Sequence, residues 1–265
     1  MPSETAERIY VSITSLFTTS LIGLLVGMGG IGLGGLLVIV FRRPKGAILS
    51  AMLGLAGGVM LSIICFELIP ESISRGTKPF MFLGFVAGIV LLGIMDRIVS
   101  HLHMSEREDG MDIHEEKLKR LGLLLAIGVA LHVFPEGLAI GAGFAASSKF
   151  GLMLALLMAF QNVPEGVALA TPNYASGSPR MQTMKYALMA GAPMGLGSFF
   201  GYSIGSHSPI FLGVALGFAG GAMFYITCDE LIPTCHTECK EYGHIPILSI
   251  VAGFVVGLFL TGFVN

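Results

Sequence analysis

The sequence predicts an all-α integral membrane protein of eight transmembrane helices, in which helices one to three are repeated upside down as helices six to eight around a central pair, four and five. Three observations predict it. The 265 residues are 54% hydrophobic and only 12% charged, too apolar for a soluble domain of that length. The apolar runs have the roughly 20 residues that a bilayer core demands of each helix. Finally, one such run near the N-terminus returns, little changed, near the C-terminus.

Read between polar breaks, the runs are Tyr10–Phe41, Ala47–Ser72, Phe80–Ser100, Leu121–Ala146, Phe150–Ala170, Tyr186–Ile204, Ile210–Ile232 and Ile245–Val264. The opening "MPSETAERIY" is acidic and lacks the basic start and small-residue cleavage pattern of a signal peptide, so the first run is expected to be a retained helix. If the helices alternate, Arg42, Arg43, Lys45, Arg97, Arg107, Lys117, Lys119, Arg120, Arg180, Lys185 and Lys240 fall on one side. Only Arg8, Arg75, Lys78 and Lys149 fall on the other. Positive loops stay cytoplasmic, which places both termini outside the cytoplasm. The expectation is one multi-pass transmembrane domain, residues 1–265, in a bacterial-type plasma (inner) membrane, with a cytoplasmic loop at 101–120. Cys65, Cys228, Cys235 and Cys239 fall in helices two and seven or in the cytoplasmic loop that follows. They imply no disulfide framework.

Helix two carries "GLAGGVMLSIICFELIP" from Gly54, and helix seven carries "GFAGGAMFYITCDELIP" from Gly217, aligned without gaps at an offset of 163. The same offset places "IGLGG" at Ile31 on "MGLGS" at Met194, and "FVAGIV" at Phe85 resembles "IVAGFV" at Ile250 with a two-residue shift. Because the displacement is five helices, an odd number, the two copies run in opposite directions through the bilayer. Inverted repeats of this kind build secondary transporters, with the site near the midplane between the halves.

The central pair carries the costly residues. "LHVFPEGLAI" in helix four and "FQNVPEGVAL" in helix five each bury a proline and a carboxylate in an apolar run. On a helix His132 and Glu136 share a face, as do Gln161 and Glu165. Pro135 and Pro164 each remove a backbone hydrogen bond, which frees the carbonyls of Leu131 and Phe160 where the polar groups sit. A carboxylate at the bilayer centre costs about 2.5–3.5 kcal/mol, so Glu136 and Glu165 together require roughly 6 kcal/mol of compensation. No Lys or Arg stands mid-helix to provide it. Protonation would neutralise the acids, and so would a bound divalent cation, which also explains the imidazole beside them. Imidazole and carboxylate, with a thioether from Met60 halfway along helix two, favour Zn or a neighbouring borderline metal over Mg or Ca. Depth orders the remaining acids: Glu67 and Glu71 toward an outer entrance, Asp229 and Glu230 toward a cytoplasmic exit that Asp96 also lines.

These motifs resemble the ZIP (Zrt-, Irt-like protein) metal-ion transporters over essentially the whole chain. "HVFPEG" is similar to the family's fourth-helix His-Asn-x-Pro-Glu-Gly motif and "QNVPEG" to its fifth-helix counterpart; Gln at the fifth-helix position resembles the bacterial GufA-type branch. The resemblance implies a metal site formed by Met60, His132, Glu136, Gln161 and Glu165. The family's second, adjacent metal position is expected to be dismantled, because Val133, Asn162 and Met194 replace its other ligands. One transport site would follow, taking Zn2+ and Cd2+ ahead of Fe2+ as cargo, with no cofactor. The resemblance further implies alternating access, helices one, four, five and six sliding against two, three, seven and eight.

Other readings carry less. His101, His103 and His114 in the 101–120 loop, and Cys235, His236, Cys239 and His244 after helix seven, have a composition suited to a metal relay, but the second set lacks standard finger spacing and the first also suits a solvated linker. His207, in a short outer loop, takes no role. A cation channel is the alternative to a carrier. An intramembrane zinc metalloenzyme is remote, because zinc peptidases use His-Glu-x-x-His, whereas here the order is His-x-x-x-Glu with no second intramembrane His. The expected partners are divalent metal ions and membrane lipid, with a homodimer compatible and no nucleic acid.

Overall fold

A computed structural model describes the backbone of residues 4–41, 46–105, 114–175, 177–239 and 243–262, and the side chains of 13–41, 46–98, 128–175, 177–239 and 243–262. Every regular element among the described residues is helical. The spans are α1 (Glu4–Phe41), α2 (Gly46–Arg75), α3 (Lys78–Ser105), α4 (His114–Ala146), α5 (Ser148–Ala175), α6 (Arg180–Gly191 continued by Pro193–Gly205), α7 (Pro209–Thr237) and α8 (His244–Gly262).

Seven spans contain a single helix long and apolar enough to cross a membrane. The exception is α6, which Pro193 interrupts. Proline has no N–H to donate and its ring crowds the preceding turn; accordingly the Ala192 N–H tightens onto the Met189 carbonyl at 3.3 Å. Ala192 keeps helical angles, φ −61° and ψ −36°, so both halves serve the single span expected over Tyr186–Ile204. Of the loop expected at 101–120, residues 101–105 and 114–120 are helical, because α3 runs to Ser105 and α4 starts at His114.

The inverted repeat reappears in how the helices touch. The most extensive packing pairs α2 with α8 and α3 with α7, which the repeat exchanges, and α1 with α5 and α4 with α6, which it also exchanges. Small residues let the backbones of membrane helices approach closely, and they do so in matched places. A Cβ at Gly34 would collide with the Val163–Val167 backbone, and one at Gly197 with the Phe134–Leu138 backbone. Gly58 lies against the Ile250–Phe254 backbone, and its mate Gly221 against that of Phe85. The interior around these contacts is apolar and closed, with Ile31, Val133, Ile140, Met158, Met194 and Leu216 all fully buried. Outward, Leu21, Leu25, Leu83, Val90, Leu156 and Phe259 remain exposed as an apolar belt, as lipid-facing helices require.

Each repeat also contains one widened π turn, Ile64–Leu68 in α2 and Thr227–Leu231 in α7, separated by the repeat offset. Both precede a proline, Pro70 or Pro233, near the start of the helix that follows. In a regular α-helix such a ring would strike the carbonyl four residues earlier, and one wider turn relieves that clash. π turns of this kind are frequent at functional sites, and here they carry Glu67 and Glu230.

The matched close approaches predict that Gly197→Ala destabilises the protein by about 1–3 kcal/mol through overpacking. Gly29→Ala, whose Cβ would meet nothing within 4 Å, should leave stability unchanged or raise it by up to about 1 kcal/mol. Thermal unfolding in detergent micelles distinguishes the two; equal midpoints would show that the Gly197 contact is not close-packed.

Candidate metal centre

α4 and α5 pack against each other at the middle of the bundle, and both helices continue through their prolines, Pro135 and Pro164. Their i, i+4 polar pairs therefore remain on continuous helix faces. Glu136 and Gln161 are fully buried, Glu165 is 9% exposed, and His132 is half-buried.

Glu136 is satisfied from α5. Gln161 Nε2 donates to its Oε1 at 3.1 Å. The Asn162 amide is assigned with Nδ2 toward Glu136, because the opposite orientation sets its oxygen against acceptors; Nδ2 then donates to Glu136 Oε2 at 3.0 Å and to the Met158 carbonyl at 3.3 Å. Asn162 thus acts as a donor to Glu136. Gln161 Oε1 is buried and has no hydrogen-bond partner among the described residues. That is an uncommon condition for an interior acceptor.

His132 faces the other way. Its Nδ1 lies 2.7 Å from Glu230 Oε2. Together with Glu165 and Asp96, this pair lines a cavity of about 450 Å3 bounded also by Leu53, Leu169 and Thr234. Each contributing helix supplies the half nearest loops one to two, three to four, five to six and seven to eight. The cavity therefore lies between the middle of the bundle and the face that collects most of the Lys and Arg.

The sequence placed Glu230 and Asp96 on an exit separate from the central site; the structure places both in one chamber with His132 and Glu165. Asp229, on the same π turn as Glu230, is exposed and does not line the chamber. Glu67 is buried, and Glu71 is held by Arg75 Nε at 2.7 Å. Met60 is fully buried and its Sδ accepts from Thr227 Oγ1 at 2.8 Å, a contact the sequence did not suggest. The one available signal was that Thr227 stands where the repeat has Ile64.

Among the described residues, no three His, Cys, Asp or Glu side chains converge as a ready metal site. The polar groups are divided instead, Glu136 with the α5 amides and His132 with Glu230. Of the set after helix seven, Cys235 and Cys239 are buried, while His236 and His244 are exposed. Cys235 Sγ lies 3.6 Å from His236 Nδ1, which is also 2.8 Å from the Ile232 carbonyl. The side chains of His101, His103 and His114 lie outside the described residues.

Known proteins resemble this chain in sequence. The family model described as ZIP Zinc transporter matches residues 103–261. A protein named Zinc transporter ZupT from Chlorobium phaeovibrioides is 34% identical over 259 residues, which cover 91% of this chain and 96% of that one. A protein of the same name from Streptococcus mutans is 30% identical over 256 residues, 91% of this chain and 95% of its own. Another from Corynebacterium aurimucosum is 33% identical over 258 residues, 92% and 95% of the two chains. With a family model covering more than half of its length and relatives at 30% identity or above covering nearly all of it, the chain belongs to the ZIP zinc transporter family, whose members are multi-pass transporters and not enzymes.

Proposed function

We propose that this chain carries Zn2+, and with it Cd2+, across the plasma membrane toward the cytoplasm by alternating access, through one midplane site made of His132, Glu136, Gln161 and Glu165 with Met60. The observation that carries the reading is the burial, on two adjacent proline-containing helices, of two carboxyl groups, an imidazole and an amide oxygen with no partner among the described residues, with His132 and Glu165 of that set lining a 450 Å3 cavity. Two carboxylates around a dication form a neutral cluster, which suits a low-dielectric setting. Imidazole and carboxylate suit Zn2+, and a thioether extends the range toward the softer Cd2+. The names of the relatives, each a zinc transporter, support zinc as cargo.

The division of the ligands has a reason under alternating access. In the present arrangement Glu230 engages His132, and Gln161 and Asn162 engage Glu136. Ligand contacts are exchanged as α1, α4, α5 and α6 slide past α2, α3, α7 and α8. The inverted repeat describes the opposite state: His132 exchanges with Gln161, Glu136 with Glu165, and Glu230 with Glu67. There Gln161 would meet Glu67, and Glu136 would line an outer chamber as Glu165 lines the inner one. The Lys- and Arg-rich face being cytoplasmic, both termini lie outside, and the chamber seen here is the route of release.

Metal uptake into proteoliposomes tests the site. His132→Ala and Glu165→Gln should each lower Zn2+ kcat/KM by at least the roughly 10- to 100-fold that loss of an outer-shell partner alone costs a metal site. Retention of transport in both variants would place the site elsewhere.

Accessibility tests the mechanism. Ala168 lines the chamber, and Ala139, its mate under the exchange of α4 and α5, is fully buried. On a background without native cysteines, Ala168→Cys should react with an impermeant maleimide only from the cytoplasmic side. Ala139→Cys should react only from the outer side, and only when turnover populates the opposite state. A fixed channel would instead leave one residue open to both sides and the other to neither.

A further inference from the structure

We propose that Thr227 is a positioning residue that orients the thioether of Met60 and so sets how strongly the protein favours Cd2+ over Zn2+. The inference rests on the reading of Met60 as a metal ligand. The Thr227 hydroxyl lies 2.8 Å from Met60 Sδ and 2.8 Å from the Met223 carbonyl, and the residues Met60, Thr227 and Met223 are all fully buried.

A hydroxyl has one proton and two lone pairs. At Thr227 it can be donated to either acceptor. The Met223 carbonyl is also satisfied by the Thr227 backbone N–H, so the side-chain proton need not serve that carbonyl alone and is shared with the sulfur as a three-centre bond. Thioether sulfur is a weak acceptor with low directional demands, and a Met side chain has three rotatable bonds. A polar anchor at its sulfur is what fixes such a chain. A ligand held in place binds metal more tightly than one that must be ordered first, and the groups behind ligands commonly act in this way.

The repeat shows that the contact is not a packing necessity. The mate of Thr227 is Ile64, and the mate of Met60 is Met223; both are fully buried. In that half a β-branched hydrocarbon occupies the same place in the matching π turn, so the fold accommodates the position without a hydroxyl. Only the half whose methionine belongs to the proposed site carries one. Both partners also lie on the same sliding group, Met60 on α2 and Thr227 on α7. The anchor therefore persists while α4 and α5 move past it, and the sulfur meets the cargo at a constant orientation.

The test is a double-mutant cycle in proteoliposomes, reading KM for Cd2+ and Zn2+ separately. Thr227→Val keeps the shape and removes the hydroxyl, as Ile64 does in the other half. It should raise KM for Cd2+ by about tenfold, the low end of the cost of removing an outer-shell partner, with a smaller change for Zn2+. Met60→Ala should move the Cd2+/Zn2+ ratio in the same direction, the double variant should add nothing to Met60→Ala, and Thr227→Ser should restore the ratio. Thr227→Ala is read in the same way if the valine variant does not accumulate. A normal ratio in Thr227→Val beside an altered one in Met60→Ala overturns the proposal and leaves Met60 as a ligand. An effect of Thr227→Val that persists undiminished without Met60 also overturns it. A normal ratio in Met60→Ala removes the ligand reading itself.

Discussion

A carboxyl group inside a bilayer must never be without a partner, and the interior of this protein is arranged around that constraint. Glu136 shows how it is met. Its insertion costs about 2.5–3.5 kcal/mol, and each amide hydrogen bond to a charged group returns about 1.5–3 kcal/mol. The two amides of Gln161 and Asn162, one on each carboxyl oxygen, therefore offset most or all of that cost. Glu165 meets the constraint differently, standing at the edge of the polar chamber among His132, Glu230 and Asp96. One acid is kept by protein and the other has access to solvent, though the two occupy matching positions in matching motifs.

Such partners are useful only if the helices carrying them are held close, and the glycines do that. Gly34 and Gly197 bring α1 and α6 onto the backbones of α5 and α4 around the two prolines. Side chains at these seams would push α4 and α5 away from their neighbours and open the amide contacts to Glu136. The π turns act on the other group of helices. By adding a residue to one turn, each rotates the acid it carries relative to the helix before it, and at Glu230 the result is a contact with His132 across the two groups.

Much of this was legible in the sequence because it depends on order and periodicity. The offset of 163, the acids on helices four and five, and the small residues of the repeat all correspond to features of the folded chain. The role of Glu230 was not legible. Counting depth along a regular helix set it below the central site, and a regular period has no place for the extra residue of the Thr227–Leu231 turn. Pro193 was visible, but a hydropathy run does not show whether a proline bends a span or divides it, as it divides α6. The amide of Asn162 read as a ligand that had been lost; only side-chain geometry shows it donating to Glu136. Thr227 was hidden for a different reason, since a single hydroxyl in an apolar run has no periodic signature and its partner lies 167 positions away.

The departures from symmetry bear on the balance between states. A strictly symmetric inverted repeat would have two equivalent arrangements, related by a two-fold rotation about an axis in the membrane plane and equally populated. Here the contact between the two groups of helices is imidazole to carboxylate on one side, His132 with Glu230, and its mate on the other side would be amide to carboxylate, Gln161 with Glu67. When His132 is protonated both partners of its bond carry charge, whereas the amide–carboxylate bond carries charge on the acceptor alone; a difference of about 1.4 kcal/mol shifts a two-state population tenfold. Under alternating access this one substitution in a repeated motif, His for Gln, biases the unloaded carrier toward the arrangement whose chamber opens on the Lys- and Arg-rich face. If His132 is a ligand as proposed, a metal ion on it would compete with Glu230 for the same imidazole and so remove that bias when cargo is aboard. On that mechanism the return journey and the loaded one would begin from different equilibria, although the scaffold that carries them is nearly the same in both halves.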